Sequence, residues 1–305
     1  MSWAGARGRK GVEPSETIAP ARGGVAELCV QTFGDPTDPA VLLIHGATAA
    51  MDWWEDGFCT RLATGGGGRL VVRYDHRDTG RSTTYPPGAP GYTGADLADD
   101  ALCVLDAVGV ARAHLVGQSM GGALAQVIAL GHPERVRSLT LVATSPVGRL
   151  PDGLDLPPMT AELAATFAAG DAPGTDDRAT AVDRLVDSFR PYAGSRPFDE
   201  AGMRAVAERV VDRSHDMASG ANHFVADPGP EPTRTLDQLA VPTLVIHGDE
   251  DPLFPLPHGE ALARLIPGAE LLVLDRIGHE LPRSAWDVVV PALLAHTGAA
   301  TTEGR

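Results

Sequence analysis

Short apolar runs alternate with amphipathic patterns along most of the chain. Four runs in the first half are continuous enough to be strands buried on both faces, as in parallel sheets: residues 40–45, 69–75, 113–117 and 139–143. Between the second and third runs, residues 96–108 place their apolar side chains on one helical stripe, and Gly109 follows where a C-terminal cap is expected. This alternation predicts an open α/β fold with right-handed crossovers, a mostly parallel sheet and helices on both faces.

The same alternation of strand and helix patterns occurs near the end of the chain. Two further strands are predicted at residues 241–247 and 269–275, with helices at 257–265 and 285–296. Residues 233–298 and 25–145 together are therefore expected to form one α/β core.

The segment between these two parts, residues 146–232, lacks this alternation of strands and helices. It has no convincing strand pattern but has three helix-like stretches, at residues 160–169, 178–189 and 200–211. An all-helical insertion before the last strands predicts a lid over the carboxyl ends of the strands, where open α/β sheets bind their ligands. Such a lid is expected to supply substrate specificity rather than chemistry. Residues 1–24 lack the apolar stretch of a signal peptide and are predicted to be a flexible extension.

Composition and charge narrow the class of protein. The chain has 305 residues, of which 43% are hydrophobic, as expected for a globular protein, and its net charge is −15. That charge disfavours nucleic acid and anionic membranes as partners and suits a neutral or cationic small molecule. The sequence has no run of 18 or more apolar residues, so no transmembrane helix is predicted. The oligomeric state is left open.

The cysteines are few and scattered. Cys29, Cys59 and Cys103 show no CxxC spacing, which argues against a disulfide framework and a zinc site and favours the cytoplasm. The metal-binding pattern HExxH and a phosphate-binding loop are also missing from the sequence, so that no metal and no cofactor is expected.

The strongest chemical signal is the pattern GxSxG at residues 117–121. It follows a predicted strand and precedes a predicted helix at residues 123–130, which is the setting that a nucleophile elbow requires. Gly117 and Gly121 leave room for a sharp turn that exposes the hydroxyl of Ser119, and the helix N-terminus stabilises negative charge there. The alternative, a serine that only caps a helix, needs no glycines at these spacings.

A serine nucleophile needs a base and an acid, and both follow in the sequence. His279 lies after the last predicted strand. Asp249, Glu250 and Asp251 are contiguous after the preceding strand, and we favour Asp251 because Pro252 biases it toward an extended conformation. The oxyanion then needs two backbone amides, for which we expect Met120 and Ala47, with Thr48 as the alternative to Ala47.

Several motifs occur in an order that resembles the α/β-hydrolase superfamily: HGA, YDHRDTGRS, GQSMGG, HGDEDPLFP and GHELP. Within it, residues 73–82 and 126–130 make the chain similar to the aclacinomycin methylesterase type, which removes the methyl group from a polyketide methyl ester in actinobacterial antibiotic tailoring. The resemblance implies the triad Ser119, Asp251 and His279, and the oxyanion amides of Ala47 and Met120. It departs at His45 and Ala47, where that type has Met and Gly, and in the insertion.

These observations favour a serine esterase that cleaves a hydrophobic small-molecule ester through an acyl-enzyme. A lactonase, a carbon–carbon bond hydrolase and a cofactor-free perhydrolase use the same triad and remain alternatives, as does a ligand receptor that has lost hydrolysis. Aromatic residues of the insertion are candidates to bind the substrate: Phe167, Phe189, Tyr192 and Phe198. Packing of the lid onto the core is the other interpretation of Phe167, which shares a helical stripe with Met159 and Leu163. Trp53, Trp54 and Phe58 are expected to belong to the core.

Overall fold

A computed structural model describes residues 15–169 and 177–302 and contains one sheet. Its strands are β1 (Ser15–Pro20), β2 (Glu27–Phe33), β3 (Ala40–Ile44), β4 (Leu70–Tyr74), β5 (Ala113–Gln118), β6 (Val136–Val142), β7 (Thr243–Gly248) and β8 (Glu270–Leu274). Their order across the sheet is β1-β2-β4-β3-β5-β6-β7-β8. Strands β3 to β8 pair in parallel, whereas β1 and β2 are antiparallel to their neighbours. The α/β fold class predicted from the sequence is correct.

Strand β1 corrects the sequence prediction. Residues 15–20, which were expected to belong to a flexible extension, form the edge strand β1, and residues 1–14 lie outside the described part of the chain. The side chains of β1 are mostly exposed, so the strand has no hydrophobic pattern and is held by backbone pairing with β2. Its only buried side chain belongs to Ala19.

In the part of the chain that the structure describes, five α-helices cover the two faces of the sheet, and three more lie in the insertion. In chain order they are α1 (Asp56–Thr64), α2 (Gly94–Ala107), α3 (Met120–Gly131), α4 (Ala161–Ala169), α5 (Arg178–Phe189), α6 (Glu200–Arg213), α7 (Pro257–Leu265) and α8 (Trp286–Thr302). Side chains of β3 alternate between the faces because successive residues of a strand point in opposite directions. Leu42 and Ile44 join the core under α2, α3 and α7, whereas Val41 and Leu43 join the core under α1 and α8.

Helices α4, α5 and α6 belong to the insertion and lie where a lid was predicted, although α6 ends two residues later than expected. Val182 and Val186 of α5 pack against Ala207 of α6, and the neighbouring Val206 and Val210 of α6 pack on Ala50, in the loop after β3. Arg213, the last residue of α6, donates to Asp75, directly after β4, at 2.9 Å. The insertion thus rests on loops at the carboxyl ends of the parallel strands.

Within the described residues, no helix is both long enough and apolar enough to cross a membrane. The three cysteines are free thiols there; Cys29 and Cys59 are buried. Burial raises the pKa of both of these thiols to about 12, so they are neutral and behave as small apolar side chains.

Candidate active site

Ser119 stands at the turn between β5 and α3, in a conformation that most residues avoid. Its φ of 53° and ψ of −121° lie outside the regions that L-residues usually adopt. The turn is fixed at the serine itself, since its N–H donates to the carbonyl of Val142 at 3.0 Å and its carbonyl accepts from the N–H of Gly122 at 2.9 Å. A strained residue persists only where its surroundings hold it, and such residues cluster at functional sites.

The two flanking glycines are required by close backbone approach. A Cβ atom added to Gly117 would lie 2.2 Å from the carbonyl oxygen of Gly121, and one added to Gly121 would lie 2.1 Å from the carbonyl oxygen of Ile44. Both distances are far inside van der Waals contact, so any side chain would push the turn apart. The GxSxG spacing in this sequence therefore has a steric cause.

His279 and Asp251 are brought together from the loops after β8 and β7. The Nδ1 atom of His279 lies 2.8 Å from Oδ2 of Asp251, and the carboxylate is fully buried. Its other oxygen accepts from the backbone N–H groups of Leu253 and Phe254, each at 2.9 Å. Burial by itself raises the pKa of Asp251, but the hydrogen bond and charge of His279 outweigh burial, so the pKa lies below its usual value.

The other two acids of this loop have different partners. Asp249 accepts from the N–H of Arg276 at 2.6 Å, and Glu250 accepts from the hydroxyl of Ser195 at 2.9 Å. Asp249 and Glu250 are exposed, whereas Asp251 is buried. Among the three contiguous carboxylates, Asp251 is the one that contacts His279.

A second histidine lies near Asp251, but its surroundings differ. His247 is fully buried, and its Nε2 atom lies 3.6 Å from Asp251 and 2.7 Å from the carbonyl of Phe254. Since a carbonyl only accepts hydrogen bonds, Nε2 of His247 carries the proton. Burial lowers the pKa of His247, so this fully buried ring is neutral.

The predicted oxyanion amides belong to the residue after the nucleophile and to the turn after β3. Met120 is the first residue of α3, so its N–H belongs to the unsatisfied end of that helix. Gly46 approaches the serine closely, since an added Cβ would lie 3.1 Å from Cβ of Ser119, and Ala47 follows it. Thr48, the alternative to Ala47, already donates its N–H to Nδ1 of His223 at 2.9 Å. Ala47 is therefore the better candidate.

Two contacts that hold His279 were not apparent from the sequence. The N–H of His279 donates to the carbonyl of Tyr192 at 2.8 Å, and its own carbonyl accepts from the side chain of Gln118 at 3.0 Å. Tyr192 acts through its backbone, which any residue supplies, and Gln118 occupies a variable position of GxSxG. Neither contact leaves a sequence signal.

Among the described residues, a cleft next to the site is lined by six aromatic rings together with aliphatic and charged side chains. The rings come from both the core and the insertion: Trp53, Trp54, Phe58, Phe189, Phe198 and Trp286. Gln118 and Glu280, the chain neighbours of Ser119 and His279, also line it, which places the cleft beside these two residues. Trp54 and Phe58 are core residues, as predicted, and also line the cleft; Trp53 is only half-buried and packs on Phe189, with ring centroids 4.1 Å apart.

The four insertion aromatics predicted to bind substrate separate into two pairs. Phe189 and Phe198 line the cleft. Tyr192 and Phe167 lie outside it: the ring of Tyr192 is 5.9 Å from that of His279, and Phe167 packs against Tyr192 while remaining 44% exposed. Helix α4 buries Leu163 instead, so its apolar stripe does not enter the cleft as a unit.

His45 also lines the cleft, at the end of β3. Its Nδ1 atom accepts from the N–H of Gly46 at 2.7 Å, and its ring meets Trp54 edge to face. Burial lowers the pKa of His45 to about 3, with the neighbouring His76 and His279 acting in the same direction. The ring is therefore neutral and adds polar but uncharged surface. In the described residues, no three His, Cys, Asp or Glu side chains are grouped so that they could hold a metal ion.

Comparison with known proteins identifies the fold family. A family model described as alpha/beta hydrolase fold matches residues 39–282. This chain belongs to the α/β-hydrolase family. The hydrolase is 34% identical over 297 residues to the rhodomycin D methylesterase DauP of Streptomyces sp. strain C5. The aligned region covers 90% of this chain and 96% of that relative. Rhodomycin D methylesterase DnrP of Streptomyces peucetius is 32% identical, with the same coverage.

A solved structure gives the same family. The hydrolase superposes on 2-hydroxy-6-oxo-6-phenylhexa-2,4-dienoate hydrolase from Rhodococcus sp. strain RHA1 with a TM-score of 0.72 and 26% identity, covering 93% of this chain and 98% of the other. The resemblance to methylesterases that was recognised from motifs is confirmed.

Proposed function

We propose that this hydrolase cleaves a carboxylic ester through an acyl-enzyme formed on Ser119. The observation that carries the proposal is the buried pair of Asp251 and His279, joined at 2.8 Å, beside a serine held in a strained elbow. A carboxylate accepts only, so Nδ1 of His279 carries the proton in this pair. Its Nε2 atom is then free to accept the proton of a serine hydroxyl, which is the tautomer that nucleophilic catalysis requires.

The steps follow from these roles. Ser119 Oγ attacks the ester carbonyl while His279 takes its proton, and the amides of Ala47 and Met120 stabilise the oxyanion. Collapse of the tetrahedral intermediate breaks the bond to the alkoxy group, which leaves as the alcohol with the proton from His279. Water, deprotonated by His279, then attacks the acyl-enzyme; the bond from the acyl carbon to Ser119 Oγ breaks, the serine oxygen takes the proton back from His279, and the acid is released. Asp251 keeps the imidazole oriented and stabilises its positive charge.

The substrate class is supported by the cleft and by the relatives. Six flat aromatic side chains line part of the cleft, and such surfaces favour a hydrophobic, polycyclic acyl group. Two relatives that match 90% of this chain are methylesterases by name, which favours a methyl ester as the bond cleaved. We therefore propose a polyketide methyl ester as the substrate class, ahead of a lactone or a carbon–carbon bond.

Replacing the nucleophile tests the mechanism. Ser119→Ala should keep the fold and lower kcat by about 10³ or more, because only the oxyanion amides and binding contacts remain. The chain offers a matched control in Ser145, whose hydroxyl also contacts a histidine, His258, at 2.9 Å, but whose histidine faces the carbonyl of Pro157 and no carboxylate. Ser145→Ala should therefore retain activity.

Rates on a polycyclic methyl ester, a lactone and a p-nitrophenyl ester should be measured for the wild type and both variants, together with labelling by a fluorophosphonate. Labelling should require Ser119. Turnover of Ser119→Ala above roughly a tenth of wild type would refute the proposed nucleophile, and faster cleavage of the lactone than of the methyl ester would reassign the substrate class.

A further inference from the structure

One short segment of the insertion packs against the turn that carries Ala47. This segment, Ala218–Phe224, is a 3-10 helix. His223, near its end, accepts the N–H of Thr48 on Nδ1 at 2.9 Å. Gly220 approaches the same residue, since an added Cβ would lie 3.4 Å from Cα of Thr48. Thr48 directly follows Ala47, so the segment contacts the turn one peptide away from the proposed oxyanion amide.

The conformation of Thr48 needs such support. Its φ is 64°, in the left-handed region that β-branched residues rarely adopt. The cost of this conformation must be met by surrounding contacts, and the hydrogen bond to His223 is the contact made by the strained residue's own amide. Released from it, Thr48 would relax toward negative φ and rotate the Ala47–Thr48 peptide, and this rotation would displace Ala47 together with its own N–H.

The ring of His223 is set up to accept this bond. Its Nε2 atom lies 2.8 Å from the carbonyl of Arg77, so Nε2 carries the proton and Nδ1 holds a lone pair. The groups that face the ring are His76, whose ring centroid is 5.8 Å away, Tyr92 at 6.3 Å, and the carboxylate of Asp78. Burial lowers the pKa of His223, although the Arg77 carbonyl and Asp78 oppose this, so the ring is neutral at neutral pH.

We propose that His223 is a positioning residue that fixes the Ala47 amide of the oxyanion hole through its hydrogen bond to Thr48. The inference rests on the proposed function, because an oxyanion hole matters only if an oxyanion forms. It assigns a role in the chemistry to a residue of the insertion that lies 175 positions from Thr48 in the sequence.

The segment has its own attachments to the core, so that loss of one bond from His223 should not displace it. Ser219 donates to the carbonyl of Tyr85 at 2.7 Å. The side chain of Asn222 donates to Asp78 at 3.0 Å and accepts from the N–H of Gly88 at 2.7 Å. Variants of His223 are therefore expected to fold.

Two isosteric substitutions separate the two bonds of the ring. In His223→Asn, the side-chain oxygen can occupy the place of Nδ1 and accept from Thr48. In His223→Gln, the amide nitrogen can occupy the place of Nε2 and donate to the carbonyl of Arg77, while Thr48 loses its acceptor. Each variant loses one bond, so a purely structural role predicts equal effects.

We expect His223→Gln to lower kcat by roughly tenfold to a hundredfold with KM nearly unchanged, which is less than the ~10²–10³ lost when an oxyanion donor is removed outright. We expect His223→Asn to retain most of the wild-type kcat. His223→Phe, which fills the space but accepts nothing, should match His223→Gln. Inhibition by a trifluoromethyl ketone, whose adduct with serine carries an oxyanion, should weaken in parallel with kcat.

Rates are to be expressed per active site titrated with a fluorophosphonate, and melting temperatures recorded for all variants. Equal kcat for His223→Asn and His223→Gln, or a loss that follows melting temperature alone, would overturn the inference. If Ser119→Ala is inactive while the two His223 variants are equal, only this inference fails. If Ser119→Ala is active, the proposed function itself fails.

Discussion

Replacement of Asp251 by asparagine tests the proposed triad most sharply, because the structure fixes which way the new amide must point. Oδ1 of Asp251 accepts from the backbone N–H groups of Leu253 and Phe254, and Oδ2 faces Nδ1 of His279. In Asp251→Asn the amide oxygen must stay on the two backbone donors, since an NH₂ group there would face two N–H groups. The NH₂ group is therefore turned toward His279.

An NH₂ donor at this place forces Nδ1 of His279 to accept and moves the ring proton to Nε2. That tautomer cannot take a proton from Ser119. The same change of the equivalent aspartate in serine proteases lowers kcat by about 10⁴, which corresponds to about 5 kcal/mol in the activation barrier at 1.36 kcal/mol per factor of ten. We expect a loss of this size in kcat on a p-nitrophenyl ester at pH 7, with little change in KM.

Asp249→Asn is the matched control. Asp249 is exposed, and its oxygen accepts from the N–H of Arg276, a bond that an asparagine oxygen can keep. We expect activity close to wild type. Steady-state rates and melting temperatures of both variants decide the matter: a loss below tenfold for Asp251→Asn, or an equal loss at Asp249, would refute the assigned acid and the tautomer argument together.

Two further predictions follow from the insertion. Phe189→Ala should change the difference in activation barrier between a polycyclic methyl ester and p-nitrophenyl acetate by roughly 1–3 kcal/mol. Phe167→Ala, at an exposed ring outside the cleft, should leave the ratio of the two rates unchanged. The same ratio in Phe189→Ala as in the wild type would remove Phe189 from the substrate contacts. Arg213→Gln should lower the free energy of unfolding by about 3–5 kcal/mol in urea because it leaves the buried Asp75 without its charged partner. Arg178→Gln, at an exposed ion pair, should change it by less than about 1 kcal/mol, and similar losses for both arginines would contradict this reasoning.

The central strands could be predicted because their burial requires a recognisable run of apolar residues in the sequence. Parallel strands covered on both faces need apolar side chains at almost every position, as at residues 40–44, and such runs are easy to recognise. Strand β1 has no such apolar run, since its side chains are mostly exposed and backbone pairing holds it in place. The nucleophile turn could be predicted for a different reason: Gly117 and Gly121 are required by contacts with nearby backbone, so the constraint is local.

Contacts made by backbone atoms or across long stretches of sequence could not be predicted. The carbonyl of Tyr192 holds His279, but a carbonyl is present at every position. His223 was one of ten histidines, and only the fold brings it to Thr48. Phe167 was named as a candidate from its helical apolar stripe and Tyr192 from its bulk after the second helix, and neither feature tells which side of a lid a ring occupies.

The insertion contacts the proposed chemistry at more places than a specificity lid requires. It was expected to shape the pocket only. Yet the N–H of Thr160 donates to the carbonyl of Pro252, next to Asp251, at 2.8 Å, and the carbonyl of Tyr192 accepts from His279 at 2.8 Å. Each of these contacts fixes the backbone of a loop on which the triad depends.

We therefore expect selectivity and catalytic geometry to be coupled in this hydrolase. A relative with a different insertion must replace the backbone partners of the acid and histidine loops as well as the aromatic lining of the cleft. Misplacement of a catalytic group by about 1 Å can cost a hundredfold in rate. Exchange of the whole insertion between relatives should consequently lower kcat on every ester, whereas changes confined to cleft residues such as Phe189 and Phe198 should alter the preference among esters. Evolution of new substrate preference in this chain is then expected to proceed through the cleft side chains, with the contacts of Thr160 and Tyr192 preserved.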